Sequence, residues 1–545
     1  MADVEGAGPA PVFGRIAPVD LVAAQLVGVS AGALALVAGV ALAPAVAVAV
    51  GVAALLLIPV GRRTATGWLR VWWGFLGKRR TRLGSTVDFR APGGRSLGLY
   101  WDGSRVVSVV EVLAPLGGLT RISRDAFDSS HKLPLPALAA CLTQHDVMLD
   151  SIDIVSHGFR TRPGTPAGQV YEQLIGPLPA TAVRTVWLAV SLDMRHCKDA
   201  VERRGGGAEG ASRSVTIATQ RIVRALAEAG CRSRILTAPE IRDAVIQITA
   251  GTDPRTVGQR WSSARLGNFA NIGSAVDPDK LSSETLAKLW STPSLGTTVA
   301  VRLEPGATPD TIKLGAAWRL TAQDPPQVKL PGLISVNGRH REALLAQLPL
   351  GAGTNAHTIP TGEFPLGATE RLHLPQAGCG QLIGSDRNGQ GIAARIVGAG
   401  ISTVYVASDP FVAKQLVFRA LAVGSRILIR TDRPQVWHQF IASIENPERL
   451  TFARDATQSN AGFNATLVDG VAAPAPHAGV TTIYLAADPS GWPTGRPDIA
   501  IHQPGAQGNR LRLQTAVAAV DLNLVALPRE NAFIGQPYGA RQPVG

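Results

Sequence analysis

The stretch from Leu21 to Val60 contains no charged residue, and this feature constrains the fold more strongly than any other. A helix over the whole stretch would be about 60 Å long, twice the ~30 Å thickness of the hydrocarbon core of a bilayer. The chain therefore has to fold back, and we place the break at Pro44, because proline interrupts a helix. We predict two transmembrane helices, at about 21–42 and 45–60, with glycines that allow the helices to pack closely.

Basic and tryptophan residues follow this stretch without an intervening acidic residue. Segments rich in Lys and Arg stay in the cytoplasm, so two spans leave both termini there. Indoles interleaved with cations are typical of a segment at the lipid headgroups. We predict that such a membrane anchor is formed by Arg62, Arg63, Trp68, Arg70, Trp72, Trp73, Lys78, Arg79 and Arg80. An amphipathic helix of a protein core is the alternative for the same residues.

The net charge of +13 would also suit a nucleic-acid-binding protein. Basic residues are concentrated just after the apolar stretch, and the sequence contains no zinc finger, RNA-binding aromatic signature or recognition helix. We therefore predict the lipid bilayer, and no nucleic acid, as a partner. The four cysteines are far apart and form no CxxC pair, so we expect free thiols.

Strand and helix patterns alternate through the rest of the chain and predict a mixed α/β region with βαβ units. Two β-prone runs, 97–101 and 106–112, flank Asp102-Gly103, which predicts a hairpin. Residues 401–430 have the pattern of a βαβ unit. We divide the chain into an N-terminal tail with the membrane helices and the anchor at 1–85, a cytoplasmic α/β domain at 86–345, a Gly/Pro-rich linker or loop at 346–370 and a second α/β portion at 371–545.

Two motifs suggest ligand chemistry. The segment 384–391 has the glycine spacing of a P-loop, but Gln390 and Gly391 replace the required Lys and Ser/Thr, so we expect a polar hairpin turn. Asp277 and Asp279 have the spacing by which many glycosyltransferases hold a metal and a sugar nucleotide. This pair leaves an alternative function open, a membrane-anchored sugar-nucleotide transferase with a metal site at these aspartates. The main prediction is a protein that is not an enzyme and has no catalytic residues, cofactor or metal.

An ordered set of segments resembles EccE, the two-span subunit of actinobacterial type VII (ESX) secretion systems. The set comprises the membrane hairpin with its basic, Trp-rich exit, residues 98–103 with 106–112, 142–146 with 151–156, 171–180, the glycine loop at 203–211, 236–240, and 418–424 with 431–433 and Trp437. The resemblance covers most of the chain, and it is weakest at 348–370.

The resemblance implies a structural, non-catalytic subunit of the type VII inner-membrane secretion complex, which supports export of WXG100-type proteins. It implies EccB, the ATPase EccC and EccD as partners, and a multi-pass protein of the cell inner membrane as the localisation. The cytoplasmic region of the family resembles a glycosyltransferase-type α/β fold without evident activity. On that basis Asp277 and Asp279 would be an evolutionary remnant.

Overall fold

The computed structural model describes residues 18–60, 63–77, 83–91, 94, 96–124, 127–324, 326, 328, 330–455 and 458–536. These residues form two compact units. The first comprises the described residues of Met1–Arg80 with Gln259–Ser262 and Asn337–Arg339, and the second comprises those of Thr81–Gly258, Ser263–Val336 and His340–Gly545. The predicted parts at 86–345, 346–370 and 371–545 belong almost wholly to the second unit.

The α-helices of the described chain are short apart from three in the N-terminal half. In chain order they are α1 Pro18–Val37, α2 Leu42–Leu57, α3 Ala65–Leu76, α4 Leu135–Ala140, α5 Pro166–Ile175, α6 Lys198–Arg203, α7 Gly207–Glu228, α8 Ala238–Ile248, α9 Ser283–Lys288, α10 His340–Ala346, α11 Ala368–Arg371, α12 Pro410–Ala422, α13 Pro434–Ile444 and α14 Pro528–Ile534.

The strands range from two-residue pairs to twelve residues. They are β1 Pro59–Val60, β2 Arg63–Thr64, β3 Ser85–Arg90, β4 Ser96–Asp102, β5 Arg105–Val112, β6 Leu119–Ile122, β7 Phe127–Ser129, β8 Thr143–Gln144, β9 Val147–Met148, β10 Ser151–Phe159, β11 Val183–Asp193, β12 Ser233–Ile235, β13 Gly258–Gln259, β14 Ala264–Leu266, β15 Phe269–Val276, β16 Gly296–Pro305, β17 Thr311–Ala322, β18 Leu333–Ser335, β19 Thr361–Pro365, β20 Gln381–Ser385, β21 Gly391–Ala394, β22 Thr403–Ala407, β23 Ile427–Thr431, β24 Leu450–Phe452, β25 Ala465–Asp469, β26 Thr481–Ala486, β27 Ile499–His502, β28 Arg510–Thr515 and β29 Ala519–Asn523.

The first unit contains the two apolar helices, but the break between them precedes the predicted residue. α1 ends at Val37 and α2 begins at Leu42, so Pro44 lies inside the first turn of α2. Gly39 has a φ of +85°, which suits glycine at the end of a helix. Proline is tolerated in a first turn because the N–H groups there have no intrahelical acceptor. The prediction that Pro44 separates the helices is therefore wrong.

The larger sheet of the second unit is antiparallel, with the strand order β14-β15-β17-β16-β10-β11-β5-β4-β3. The predicted hairpin is confirmed, since β4 pairs with β5 and Asp102 lies opposite Arg105 across the turn. Helices α7 and α8 contribute apolar residues to the cores beside this sheet. α8 begins with the capping box expected of its sequence, in which Thr237 and Glu240 satisfy each other's backbone N–H groups.

The smaller sheet of the second unit is mixed, with the strand order β24-β23-β25-β26-β22-β27-β28-β29-β20-β21-β6-β7. The strands from β24 to β27 are parallel, and those from β27 onward are antiparallel. The predicted βαβ unit is confirmed as β22, α12 and β23, with β25 and β26 between its two strands. Residues of α5, α12, α13 and α14 form one hydrophobic core with this sheet.

The predicted linker at 346–370 is an ordered part of the second unit. Leu348 and Leu350 are buried in the core beside the larger sheet. Ala352 follows, and its N–H donates to a carboxylate oxygen of the buried Asp153 at 3.0 Å. Strand β19 then pairs with β17. The start of this segment is therefore buried, whereas several of its later residues, Leu366 among them, are exposed.

Candidate membrane anchor

Small residues form the contact between α1 and α2. A Cβ atom added to Gly28 would lie 2.5 Å from the carbonyl oxygen of Ala49, and one added to Gly32 would lie 2.8 Å from the Cβ atom of Ala49. Both distances are too short for any side chain larger than hydrogen. Gly51 of α2, by contrast, has no heavy atom within 4 Å of such a Cβ position. The GxxxG spacing of Gly28 and Gly32 is therefore the sequence signal for this contact.

The outward faces of both helices carry many exposed leucine and valine residues, among them Leu26, Val29, Leu34, Val50 and Leu55. The stretch Asp20–Val37 in α1 is long and apolar enough to cross a membrane. The apolar helix α2 is shorter, and its 16 residues rise about 24 Å. A core helix of a soluble protein is mostly buried, whereas most side chains of α1 are exposed. The exposed apolar surface therefore favours a lipid environment.

An ion pair joins the start of α1 to α3, the helix that follows α2. Arg70 of α3 donates a hydrogen bond to the carboxylate of Asp20, whose side chain is largely buried while Arg70 is about half exposed. Because Asp20 belongs to the first turn of α1, the start of α1 and the chain after α2 lie at the same end of the helix pair. The two apolar helices therefore form a hairpin.

α3 begins at a capped N-terminus and packs one face against a loop of the same unit. The hydroxyl of Thr64 accepts the N–H of Gly67 at 3.1 Å, which caps the helix. Trp68 and Phe75 both contact the indole of Trp261, with ring centroids 6.1 Å and 5.5 Å apart. The 259–262 segment thus supplies an aromatic residue to which α3 is fixed.

Gly338 allows a second segment to approach the same place. Its N–H donates to the carbonyl of Trp261 at 2.8 Å, and its φ is +76°. A Cβ atom at this position would lie 2.6 Å from a methyl group of Val71. Glycine is therefore required at 338 by both backbone conformation and space.

The opposite face of α3 is apolar and exposed. Leu69, Trp72, Trp73 and Leu76 are 48%, 46%, 63% and 51% exposed, and their spacing of i, i+3, i+4 and i+7 places them on one side of the helix. An exposed apolar stripe of this kind marks a surface that contacts lipid or another protein.

The structure separates the nine predicted anchor residues into groups. Arg62, Lys78, Arg79 and Arg80 lie outside the described residues, and only the backbone of Arg63 is described. Trp72 and Trp73 share the exposed face of α3, whereas Trp68 lies on the face that packs against protein. Arg70 is held by the carboxylate of Asp20.

Leu69, Leu76 and Trp261 belong to this site but are not among the predicted anchor residues. Leu69 and Leu76 extend the exposed stripe, and the helical spacing from Trp72 and Trp73 is the signal that identifies them. Trp261, by contrast, is distant in the sequence and carries no local signal for its contact with α3.

The residues considered for ligand chemistry do not form a metal site in the described part of the chain. Asp277 is buried before the turn Pro278–Lys280, and its N–H donates to the carbonyl of Gly332 at 2.8 Å. No group of three or more His, Cys, Asp or Glu residues among the described ones is placed to hold a metal ion. The transferase alternative built on Asp277 and Asp279 therefore gains no support.

The P-loop-like segment forms the expected hairpin turn between β20 and β21. A carboxylate oxygen of Asp386 accepts the N–H groups of Asn388 and Gln390, each at 2.9 Å, which closes the turn. The cysteines are free thiols, as predicted. Burial raises the pKa of the Cys379 thiol to about 12, so this thiol is protonated and unreactive at neutral pH.

The comparisons with known proteins agree with the resemblance found in the sequence. Residues 180–276 match a family model described as "Putative type VII ESX secretion system translocon, EccE". EccE1 of the ESX-1 system of Mycobacterium tuberculosis is 26% identical over 446 residues, which cover 80% of this chain and 84% of the relative. The chain is EccE-like.

Two further relatives come from other ESX systems. EccE5 of the ESX-5 system of Mycobacterium marinum is 26% identical over 58% of this chain and 84% of the relative. EccE2 of the ESX-2 system of Mycobacterium tuberculosis is 27% identical over 64% of this chain and 62% of the relative. The EccE family match falls on elements from β11 to β15, within the α/β part of the structure.

Proposed function

We propose that this chain is a structural, non-catalytic subunit of a type VII (ESX) secretion complex in the cell inner membrane. The observation that carries the proposal is an EccE-like sequence that continues into a close-packed pair of apolar helices. In this role the helix pair anchors the subunit and the second unit docks on neighbouring proteins in the cytoplasm.

The α1–α2 hairpin crosses the bilayer twice in this proposal. The 20 residues of α1 rise about 30 Å, which matches the hydrocarbon core. α2 is about 6 Å shorter, and the extended residues 58–60 that follow it add about 10 Å. The ion pair between Asp20 and Arg70 supports this topology, since it holds the two outer ends of the hairpin together at one membrane face.

α3 lies in the interface on the cytoplasmic side, with its exposed stripe toward the lipid. Trp72 and Trp73 have the amphipathic indoles that prefer headgroup depth, and Leu69 and Leu76 reach the acyl boundary. The predicted contribution of the basic residues at 62, 63 and 78–80 is attraction to anionic headgroups. Both termini are then cytoplasmic.

The partners in this proposal are EccB, the ATPase EccC and EccD, and the exported proteins are of the WXG100 type. The EccE names of the relatives support membership of an ESX system, and the partner set follows from the family resemblance. The family resemblance assigns ATP hydrolysis to EccC, and the absence of a P-loop lysine from the turn at 386–390 is consistent with that assignment. A glycosyltransferase-type fold for the second unit stays a prediction.

Cysteine accessibility in intact spheroplasts tests the topology. Val40 lies in the exposed turn between α1 and α2, and Val517 is exposed in the second unit. We expect an impermeant maleimide to label Val40→Cys from outside, and Val517→Cys only after lysis. Labelling of Val517→Cys from outside, or of neither variant before lysis, contradicts two spans with cytoplasmic termini.

Purification of the tagged chain from its native membrane tests the role in a complex. We expect EccB, EccC and EccD to co-purify in a particle much larger than the monomer. A Gly28→Val variant, which disrupts the helix pair, is expected to reduce this recovery, whereas Gly51→Val is the matched control that leaves it unchanged. Recovery of a stable monomer alone, with the partners co-expressed, contradicts the proposed function.

A further inference from the structure

A cavity of about 790 Å³ lies inside the second unit, between its two sheets. Ser156, Arg184 and Val299 line it from the larger sheet, and Phe127 lines it from the smaller one. Trp290, just after α9, forms part of the remaining wall. The volume falls within the ~300–1,000 Å³ range of small-molecule pockets.

Arg184 places a buried positive charge on this cavity, and no carboxylate of the described residues pairs with it. The side chain is 8% exposed, and its guanidinium carbon lies 4.1 Å from the ring centroid of Trp290 and 5.1 Å from that of Phe127. Its hydrogen bond within the described chain goes from Nη2 to the hydroxyl of Thr181 at 3.1 Å, and Nε has no partner there. Burial lowers the pKa of this guanidinium to about 10.

Two other buried arginines of the same unit have more polar partners than Arg184 among the described residues. Arg302 binds the carboxylate of Asp153 with distances of 2.7 and 2.8 Å. Arg319 has no carboxylate partner in the described chain, but it donates to Asn271 and to Thr298 at 3.1 and 2.8 Å and does not line the cavity. Burying a cation is costly unless it is paired, so Arg184 is complementary to an anion in the cavity.

The described charged residues that line the cavity sum to a net positive charge. Besides Arg184, the ionisable side chains there are Arg121, Asp128, Lys132, Glu284 and His373. Lys132 pairs with Asp128 at 3.5 Å, and Lys288 pairs with Glu284 at 2.5 Å. Arg121 has no acidic partner among the described residues and adds to the charge of Arg184.

We propose that this cavity binds a small molecule that bears an oxyanion group, either a phosphate or a carboxylate. Arg184 binds this group. The planar fork of an arginine matches the two oxygens of either group. Val299, Leu374 and the ring of Trp290 supply the apolar surface for the rest of the ligand. The residues that line the cavity include neither Asp277 nor any of the predicted anchor residues.

Isothermal titration calorimetry on the full chain in detergent tests the proposal with three probes. The probes are inorganic pyrophosphate, citrate, and sodium chloride at matched ionic strength. We expect saturable binding of pyrophosphate, citrate or both at millimolar concentration, and none for chloride. Binding of pyrophosphate alone assigns a phosphate ligand, and binding of citrate alone assigns a carboxylate ligand. A response to chloride equal to that of the other probes, or no response to any probe, overturns the proposal.

Variants decide whether the response comes from this cavity. Arg184→Met is expected to weaken binding at least tenfold, and Arg319→Met is the matched control that leaves it unchanged. Ala287→Trp fills the partly exposed mouth without changing charge, and it is expected to abolish binding. Because this second variant leaves Arg184 in place, it keeps the test decisive if Arg184→Met does not fold. Unchanged binding in either folded variant overturns the proposal.

Discussion

Arg419 and Glu530 form an ion pair inside the second unit, with side chains 0% and 2% exposed. The guanidinium donates to both carboxylate oxygens, at 2.8 and 2.9 Å, and also to the carbonyl of Leu382 at 3.0 Å. Gln415 donates its amide to the same carboxylate at 3.0 Å. The network joins the C-terminal helix α14 to α12, so its removal should loosen the end of the chain.

Replacement of Arg419 by methionine leaves the carboxylate of Glu530 buried with one neutral donor among the described residues, the amide of Gln415. Breaking a buried pair on one side costs about 3–5 kcal/mol of unfolding free energy, because an uncompensated charge remains. Glu530→Gln is expected to cost a similar amount for the same reason. The double variant removes both charges, so its cost should fall short of the sum of the single costs by about 2–3 kcal/mol.

Urea unfolding in mild detergent, followed by circular dichroism, measures these free energies, and limited proteolysis reports release of α14. The surface pair of Arg512 and Asp521, 3.8 Å apart and more than half exposed, is the matched control. Arg512→Met should change the unfolding free energy by less than about 1 kcal/mol. Strict additivity of the Arg419 and Glu530 variants, or a cost for Arg419→Met equal to that of the control, would refute the reasoning.

Three further predictions concern the helix pair, the pH dependence and the interface helix. Gly28→Val should lower the thermal midpoint of the detergent-solubilised chain, because a Cβ atom at this position collides with α2. Gly51→Val should leave the midpoint unchanged, and equal midpoints for the two variants contradict the close packing of α1 on α2. Burial lowers the pKa of His340 to about 4, below the ~6.5 of an unfolded chain, so the unfolded state takes up the proton first and about 2 kcal/mol of stability is lost between pH 7 and pH 5. Thermal midpoints across that range should depend less on pH in His340→Gln, and an unchanged slope contradicts the assignment. A spin label at Leu69→Cys in vesicles should be more accessible to oxygen than to a water-soluble nickel chelate, with a label at Val517→Cys as the aqueous control; the reverse order contradicts the membrane-facing stripe.

Local sequence signals predicted local structure well. The predicted Asp102-Gly103 turn is present, because it depends on residues within a few positions of one another. The βαβ unit at 401–430 is also present, since its strands and helix differ clearly in pattern. Pro44 misled the prediction because a proline in a first turn and one in a helix break look the same in sequence.

Features that depend on partners distant in the sequence could not be predicted from local patterns. Arg302 in β16 and Arg319 in β17 interrupt the apolar pattern of their strands. Both are buried, because Arg302 pairs with Asp153 and Arg319 donates to Asn271, each on another strand. The segment 346–370 was predicted as a linker or loop, and no local pattern indicates that Leu348 and Leu350 are buried or that Ala352 donates to Asp153.

The sequence predicted the position of the candidate anchor, but only part of the roles of its residues. Composition identified the segment after the apolar stretch, and helical spacing places Trp72 and Trp73 on the exposed face of α3. Trp68 instead packs against protein, through its contact with Trp261, and no local sequence pattern connects these two residues. Similarly, no local pattern connects Arg70 to its partner Asp20, because both apolar helices lie between these residues in the sequence.

Strands β6 and β7 have a consequence for how the protein is made. They come from residues 119–129, yet they complete a sheet whose other strands begin at Gln381. On the ribosome, at ~5–20 residues per second, this strand pair waits on the order of tens of seconds before β21 emerges to bind it. During that interval the nascent chain exposes an unpaired strand edge, which is prone to aggregation. We accordingly expect the two fragments that result from dividing the chain within 346–370 to be insoluble when each is expressed alone. Co-expression of both fragments should restore their solubility.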